Sequence, residues 1–582
     1  MDGILPDLIT LRGWAGRTRV LIFRRTLLQK ASSLLTLLSS FSSDSSPREP
    51  RGLRDHLEVL LVDVQMPASK EIYNWYIALV AAMCMVLYGY DASVFNAAQG
   101  SENWLEWFDL DSKNDAYLIG LVNTAYTIGA IVSGFFLGGP VADYFGRRWG
   151  MGLGCFISII ATFIQAFAPR HNIGAFIGGR VLIGLGQGLA LTAGPIYIGE
   201  VSLPEVRGRV MTFWQTFYSV GSFIAYWIAY ASNIYRNRLG NWDWRIVVIF
   251  QILVPLIIVI LLPWQPESPR WWIKRHNNIE EARKALRRIR ETDQDVEDEI
   301  LSIREAIKYE NEAISGSYKA LFKDPSIRKR LGLACVINVG QQLSGQGTLN
   351  SYSSAIYKKI WTSSETINLI NALNATFGIL FTLNALWTAD RYGRRWLLIV
   401  GALGMAACML IVPIVGLTTP DVIAADGSTT KTQPVGIAIV FVLFLFILFY
   451  KPSWGATVWM WTSEVFSMNV RAQAVGMCSQ MQNVANTIFQ QFFPIFLANE
   501  GLKCLFFFFA TNILLAVFVF FFIPETKQVS LEEMDALFGG QNHVEKGGQM
   551  LGASDAQHTE PGGDPGGDAT AHEENAKEIS PV

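Results

Sequence analysis

Apolar residues gather into twelve runs along the chain, at roughly 75–95, 116–138, 149–168, 174–198, 211–231, 246–263, 331–357, 367–388, 396–417, 435–461, 472–497 and 502–523. Each is close to or above the ~20 residues that an α-helix needs to cross the hydrocarbon core of a bilayer. The pattern predicts an all-α integral membrane protein with twelve transmembrane helices. The polar breaks between runs are short except after the sixth, where a charged segment of about 65 residues intervenes. Within it, Ala282, Leu286, Ile289, Val296, Ile300, Ile303 and Ile307 recur at near-helical spacing among charges. That spacing predicts helices lying beside the membrane, not across it. The expected organisation is an N-terminal extension (1–70), a six-helix bundle (71–264), linker helices (265–330), a second six-helix bundle (331–525) and a tail (526–582).

Composition narrows the function. Of 582 residues, 51% are hydrophobic and only 16% charged. A soluble chain of this length would need far more charge to cover its domains. The net charge of −2 removes the electrostatic basis for nucleic-acid binding. All six cysteines (Cys84, Cys155, Cys335, Cys408, Cys478 and Cys504) lie in or at the edge of apolar runs and read as small buried hydrophobes. All six histidines fall outside the runs, so neither a histidine metal centre nor a histidine proton relay is expected inside the membrane. Neither metal nor cofactor is expected. The tail after about residue 540, rich in Gly, Asp, Glu and Pro, is expected to be disordered. Residues 1–65, rich in Arg and Ser, have two readings: a transit-peptide-like segment, or a dispensable extension ahead of Met66.

Lys and Arg concentrate on one side of the predicted membrane, the side of the termini, with about 23 against about 8 on the other, which predicts cytosolic termini. The chain also repeats itself. VADYFGRRW at 141–149 returns as TADRYGRRW at 388–396, GEVSLPEVRGR at 199–209 as SEVFSMNVRAQ at 463–473, and PESPR at 266–270 as PETK at 524–527. Three matched pairs in one order predict two homologous six-helix halves, whose interface at mid-membrane is where a substrate site is expected.

Together with GYD at 89–91, GR at 179–180 and QQLSG at 341–345, these motifs resemble the sugar porter family of the major facilitator superfamily, in wording closest to its fungal members. The resemblance spans Gly89 to Lys527. It implies two bundles rocking about a central cavity to move a monosaccharide across the plasma membrane, as a monomer and without enzymatic chemistry. It further implies that Asp143, Arg147, Arg148, Glu200, Arg207, Asp390, Arg394, Arg395, Glu464 and Arg471, extended by Glu267, Arg270 and Glu525, form ion-pair latches at the cytosolic helix ends. The plain alternative is that arginines there only set topology.

Few ionisable residues lie inside the runs, where each costs roughly 2.5–3.5 kcal/mol on insertion scales. Asp91 and Arg180 match family positions that imply proton coupling. An aspartate beside an arginine stays ionised, and one that loses it takes up a proton, so Asp91 is expected to carry the proton with Arg180 assisting its release. The alternative is a static pair that locks two helices. Lys451, in FYKPSWG, matches no family motif. Either it caps a carbonyl freed by Pro452 or snorkels, or it faces the cavity, which would favour an anionic sugar acid such as a uronate or quinate.

A sugar asks for amides around its hydroxyls and an aromatic face against its C–H groups. Gln215, Gln341, Gln342, Trp459 and Gln482 match family sugar-contacting positions, with Asn486 one turn further on. A lone glutamine in a span otherwise serves as interhelical glue. Gly347, Ser351, Gly378 and Ser222 stand where the family carries larger polar residues, so the pocket is expected to be wider and to have lost hydroxyl partners. GLGQG at 184–188 is expected to serve close helix packing, and no HExxH, GxSxG or P-loop pattern stands at a helix boundary. A non-transporting sugar sensor on the same fold is the reading from another class.

Overall fold

A computed structural model describes residues 70–111, 114–313, 320–323, 325–361, 363–420, 422–423, 429–466, 470–527 and 538. Residues 1–69 and most of the tail lie outside the described residues, as do the side chains of Asp390 and Arg471. The spans of the first half are Lys70–Gln99, Ala116–Phe145, Arg147–Ala166, Ile173–Val201, Trp214–Ile234 and Trp242–Trp264. Those of the second are a divided seventh span (Pro325–Leu343 and Gln346–Tyr357), then Ser364–Tyr392, Arg394–Thr418, Gln433–Glu464, Arg471–Glu500 and Leu505–Phe522.

Among the described residues nine helices are long and apolar enough to cross a bilayer by length and composition. The last of these contains both the eleventh and twelfth spans, joined at Gly501–Cys504. The fifth and the divided seventh fall short for reasons that bear on function. The fifth carries Gln215, Ser219, Ser222 and Tyr226 on its inner side. The seventh breaks where Gly345 adopts φ +97°, a conformation that glycine reaches without a Cβ penalty. A Cβ there would lie 2.8 Å from the Phe508 ring.

The GLGQG run packs as expected. A Cβ on Gly184 would stand 2.1 Å from the Tyr126 carbonyl oxygen of the second span, and one on Gly186 2.6 Å from the Gly154 carbonyl of the third. Such backbone-to-backbone approach is how apolar helices gain contact when lipid competes for their side chains.

The charged segment folds as Pro269–His276, Ile279–Arg287 and Asp293–Ala313. Ala282, Leu286, Ile289, Val296 and Ile300 are buried in one cluster with Ile77, Ala81 and Val201 of the first and fourth spans. Asn74 Nδ2 donates to the Ile289 carbonyl at 2.9 Å, and Arg290 Nη1 to that of Val201 at 3.3 Å. The amphipathic face read from the sequence therefore covers the end of the first bundle.

Two faces of the molecule differ. On the face opposite the Gly-Arg-Arg motifs, the distal face, the first and seventh spans are joined. Asn96 Nδ2 donates to Ser353 Oγ (2.6 Å) and Tyr226 Oη (2.8 Å), Ser354 N donates to Asn96 Oδ1 (3.1 Å), and Lys358 Nζ to the Gln99 carbonyl (3.1 Å). Towards the motif face, no hydrogen bond joins the fourth span to the tenth among the described residues. The halves are closed together distally.

Candidate transport site

Asp91 and Arg180 are both fully buried. In this state they form no ion pair with one another. Arg180 Nη1 donates to the backbone carbonyl of Asp91 at 3.2 Å, and Nη2 to Asn123 Oδ1 at 3.3 Å. The guanidinium lies 4.7 Å from the centre of the Tyr126 ring. The Asp91 carboxylate turns the other way: Oδ1 accepts from Gln251 Nε2 at 2.7 Å, and Oδ2 has no hydrogen-bond partner. Gln251 stands in a 3₁₀ turn, Phe250–Ile252, that interrupts the sixth span. A static lock between acid and arginine is therefore absent from this state, while both groups remain side by side.

The candidate substrate residues divide into two groups. Gln342 and Asn486 converge over Gly347, where a Cβ would meet Gln342 Oε1 at 2.4 Å and Asn486 Oδ1 at 3.2 Å. Gln341, by contrast, is 2% exposed, and its Nε2 donates to the Trp454 carbonyl at 2.7 Å, tying the seventh span to the tenth. Its Oε1 and that of Gln482 are buried without a partner, which leaves acceptors free for a donor such as a hydroxyl. Gln215 and Trp459 are half-buried on the fifth and tenth spans.

Lys451 opens a π-helical turn, Lys451–Gly455, that absorbs Pro452 within the tenth span. Its ammonium does not cap a freed carbonyl. It crosses to the other half, where Nζ donates to Ser219 Oγ at 3.1 Å and lies 5.7 Å from the centre of the Tyr218 ring. Ser219 Oγ is in turn 3.1 Å from Thr382 Oγ1. Ser453 Oγ donates to the carbonyls of Phe449 and Tyr450 within the same turn. Among the described residues no carboxylate lies within ion-pair distance of Lys451.

At the motif face the two halves build the same device twice. Glu267 accepts from the backbone N–H groups of Arg147 (3.0 Å) and Arg148 (3.1 Å), capping the third span. Glu525 accepts from those of Arg394 (2.8 Å) and Arg395 (3.1 Å), capping the ninth. A carboxylate satisfies the orphan donors of a helix start and complements its dipole. Gly146 (φ +100°) and Gly393 (φ +86°) precede these helices, and a Cβ on either would press to 2.4 or 2.6 Å of the capping oxygen. Arg147 pairs with Asp143 and Glu200, both at 3.0 Å, and Arg394 with Glu464 at 2.8 Å. Burial pushes the Glu267 carboxyl up from its ordinary range, and the backbone donors of Ser268, Arg148 and Arg147 pull it back.

A family model described as Sugar (and other) transporter matches residues 77–538. The chain belongs to this sugar transporter family. It is 31% identical over 505 residues to a "Probable quinate permease" of Aspergillus flavus, covering 83% of this chain and 92% of that protein. It is 30% identical over 502 residues to the "Quinate permease" of Neurospora africana, with coverages of 83% and 92%. Among solved structures, the inward-open xylose transporter XylE of E. coli aligns with a TM-score of 0.66 at 25% identity, over 80% of this chain and all of that one. The fold is thus the twelve-helix, two-bundle transporter fold.

Within this sugar transporter several sequence-based expectations need correction. The four small residues do not leave open room. Gln342 and Asn486 lie over Gly347, and Lys451 Cε comes within 3.8 Å of where a Gly378 Cβ would stand. Ser351 Oγ accepts from Gln490 Nε2 at 2.7 Å, and Ser222 Oγ from Ser93 at 2.8 Å. Small side chains here make way for larger neighbours. The ion pairs seen among the described latch residues lie within a half, and Arg207 stands apart from its expected partner: its Nη1 donates to the Gly199 carbonyl at 2.9 Å while Glu200 serves Arg147. The residues missed were Gln251, Asn123 and Gln490. Their signal was present, since an amide in the middle of an apolar run asks for a partner.

Proposed function

We propose that this transporter imports a monosaccharide, a hexose or pentose, by proton symport through alternating access, from a plasma membrane with both termini in the cytosol. The observation that carries the proton half is the arrangement at Asp91: a buried carboxylate with one oxygen unpartnered, held by Gln251 beside an arginine that touches only its backbone. An acid parted from its arginine carries the proton, and one that meets it lets the proton go. For the substrate half, Gln215, Gln342, Trp459, Gln482 and Asn486 are the proposed contacts, with Gln341 as their brace.

A second reading has its own support. Lys451 reaches across the halves to Ser219 without a carboxylate partner among the described residues, and a lone cation at a substrate site suits an anionic polyol acid. The relatives named as quinate permeases point the same way. Uptake in a transporter-deficient cell against hexoses, pentoses, uronates and quinate, with external pH recorded, tests both. Sugar uptake with simultaneous alkalinisation supports the first reading; quinate or uronate uptake that collapses in Lys451→Gln while sugar uptake is absent throughout supports the second. Accumulation by Asp91→Asn against a gradient would reject the proton role.

A further inference from the structure

Proton symport requires the carboxylate in the first half and the substrate amides in the second to sense one another, because coupling is a free energy shared by two sites. One hydrogen-bonded chain runs between them, starting from Arg180, which bonds the backbone carbonyl of Asp91. Arg180 Nη2 donates to Asn123 Oδ1 (3.3 Å), and Asn123 Nδ2 donates to Gln490 Oε1 (3.2 Å) across the interface between halves. Gln490 Nε2 then faces Ser351 Oγ (2.7 Å), Asn486 Oδ1 (3.1 Å) and the Gly347 carbonyl (3.2 Å). Every link donates in the same direction, away from the guanidinium, so each bond polarises the next. Asn123 and Gln490 are 4% and 3% exposed, and Tyr352 Oη anchors the Gln490 carbonyl at 2.6 Å.

The substrate end of the chain is overcommitted. The Gln490 amide has two hydrogens for three acceptors, so a substrate hydroxyl arriving at Asn486 decides which acceptor is released. At the other end, Asn123 holds an Arg180 donor while Asp91 Oδ2 stands without one. Turning Nη2 to the carboxylate would take this donor from Asn123 Oδ1 inside the membrane, with the unpartnered Nε the other donor at hand. A buried acceptor left unpaired costs about 1–3 kcal/mol, which forces the amides to rearrange.

We propose that Asn123 and Gln490 are positioning residues that couple occupancy of the substrate site to the Asp91–Arg180 pair through this donor chain. The proposal rests on the proton-symport reading. The other titratable groups in electrostatic reach of Asp91 are Arg180 from the fourth span, Tyr126 from the second, Cys155 from the third and its neighbour Tyr90. None of these is altered in the test.

The test compares the full-length protein with Asp91→Asn, Asn123→Leu, Gln490→Leu and the length-swapped double variant Asn123→Gln with Gln490→Asn. Each is expressed in cells lacking endogenous uptake, with surface abundance followed by a fluorescent tag. The probe is whichever of labelled D-xylose and labelled quinate the wild type takes up better. The readout is the ratio of KM in neutral to KM in acidic medium. A wild-type ratio well above one is expected, falling to about one in Asp91→Asn and in both leucine variants, with the swapped pair restoring much of it. Leucine variants that lose only surface abundance or maximal rate, while keeping the wild-type ratio, overturn the relay and leave symport standing. A flat ratio in the wild type, with no alkalinisation, overturns symport itself and the relay with it.

Discussion

Gly146 and Gly393 show how much of a motif can reside in its backbone. The arginines of D-x-x-G-R-R draw attention by charge, yet their N–H groups are what Glu267 and Glu525 bind. The glycines sit at φ +100°, ψ 158° and φ +86°, ψ 160°, a region open essentially to glycine alone, where other residues cost of order 1–3 kcal/mol. Gly146→Ala and Gly393→Ala should each lower the melting temperature of the detergent-purified protein, and each should lose more than Gly139→Ala, where a Cβ meets nothing within 4 Å. Lys451 is the other residue whose removal is informative. Lys451→Met leaves a stem that still packs beside Gly378 while deleting the ammonium, so neutral-sugar uptake should persist and any uptake of a carboxylated polyol should fall at least tenfold, about 1.4 kcal/mol.

At the level of elements, the divided seventh span matters most. Its second piece carries Ser353, Ser354 and Lys358, which meet Asn96 and Gln99 at the distal face. The break at Gly345 frees that piece to tilt without dragging Pro325–Leu343 along, and Tyr352 adds a second kink at φ −131°, ψ 17°. Asn96 bonds Ser353, Ser354 and Tyr226 at once; in Asn96→Ala, Ser353 and Tyr226 keep Asn371 and the Asn350 carbonyl as partners, so the loss falls on the buried Ser354 N–H and on the bonds between the halves, at about 1–3 kcal/mol. The closed arrangement should therefore be less populated. A membrane-impermeant maleimide applied from outside should label Ser353→Cys faster in the Asn96→Ala background than with Asn96 intact. Equal labelling would show that the closure does not depend on this amide.

Considered as a whole, the molecule is two copies of one plan, and the twin caps allow a matched experiment. Glu267→Gln keeps the shape but weakens the charge-assisted bonds to Arg147 and Arg148, and Glu525→Gln does the same for Arg394 and Arg395. Thermal unfolding should lose similar stability in both. Much of this plan was legible in the sequence because its causes are local. Apolar runs of sufficient length must span, and repeated motifs at similar offsets must occupy equivalent places. The path of the Arg180 side chain, the turn of the Asp91 carboxylate to Gln251 and the reach of Lys451 to Ser219 were not legible. Each depends on which helix stands opposite, and the last two also on a backbone irregularity, the 3₁₀ turn at Phe250–Ile252 or the π turn at Lys451–Gly455, that residue spacing does not encode.

The distal closure also bears on the conditions in which such a protein works. Among the described residues it joins the halves through amides, hydroxyls, carbonyls and the Lys358 ammonium, with one carboxylate, Glu102, accepting from Ser364 Oγ at 3.2 Å and lying in electrostatic reach of Lys358. Mobile ions weaken attraction between exposed charges but do little to hydrogen bonds between neutral, buried groups. Raising the ionic strength at this face should therefore loosen only the attraction between Glu102 and Lys358 and leave the amide and hydroxyl bonds between the halves nearly untouched.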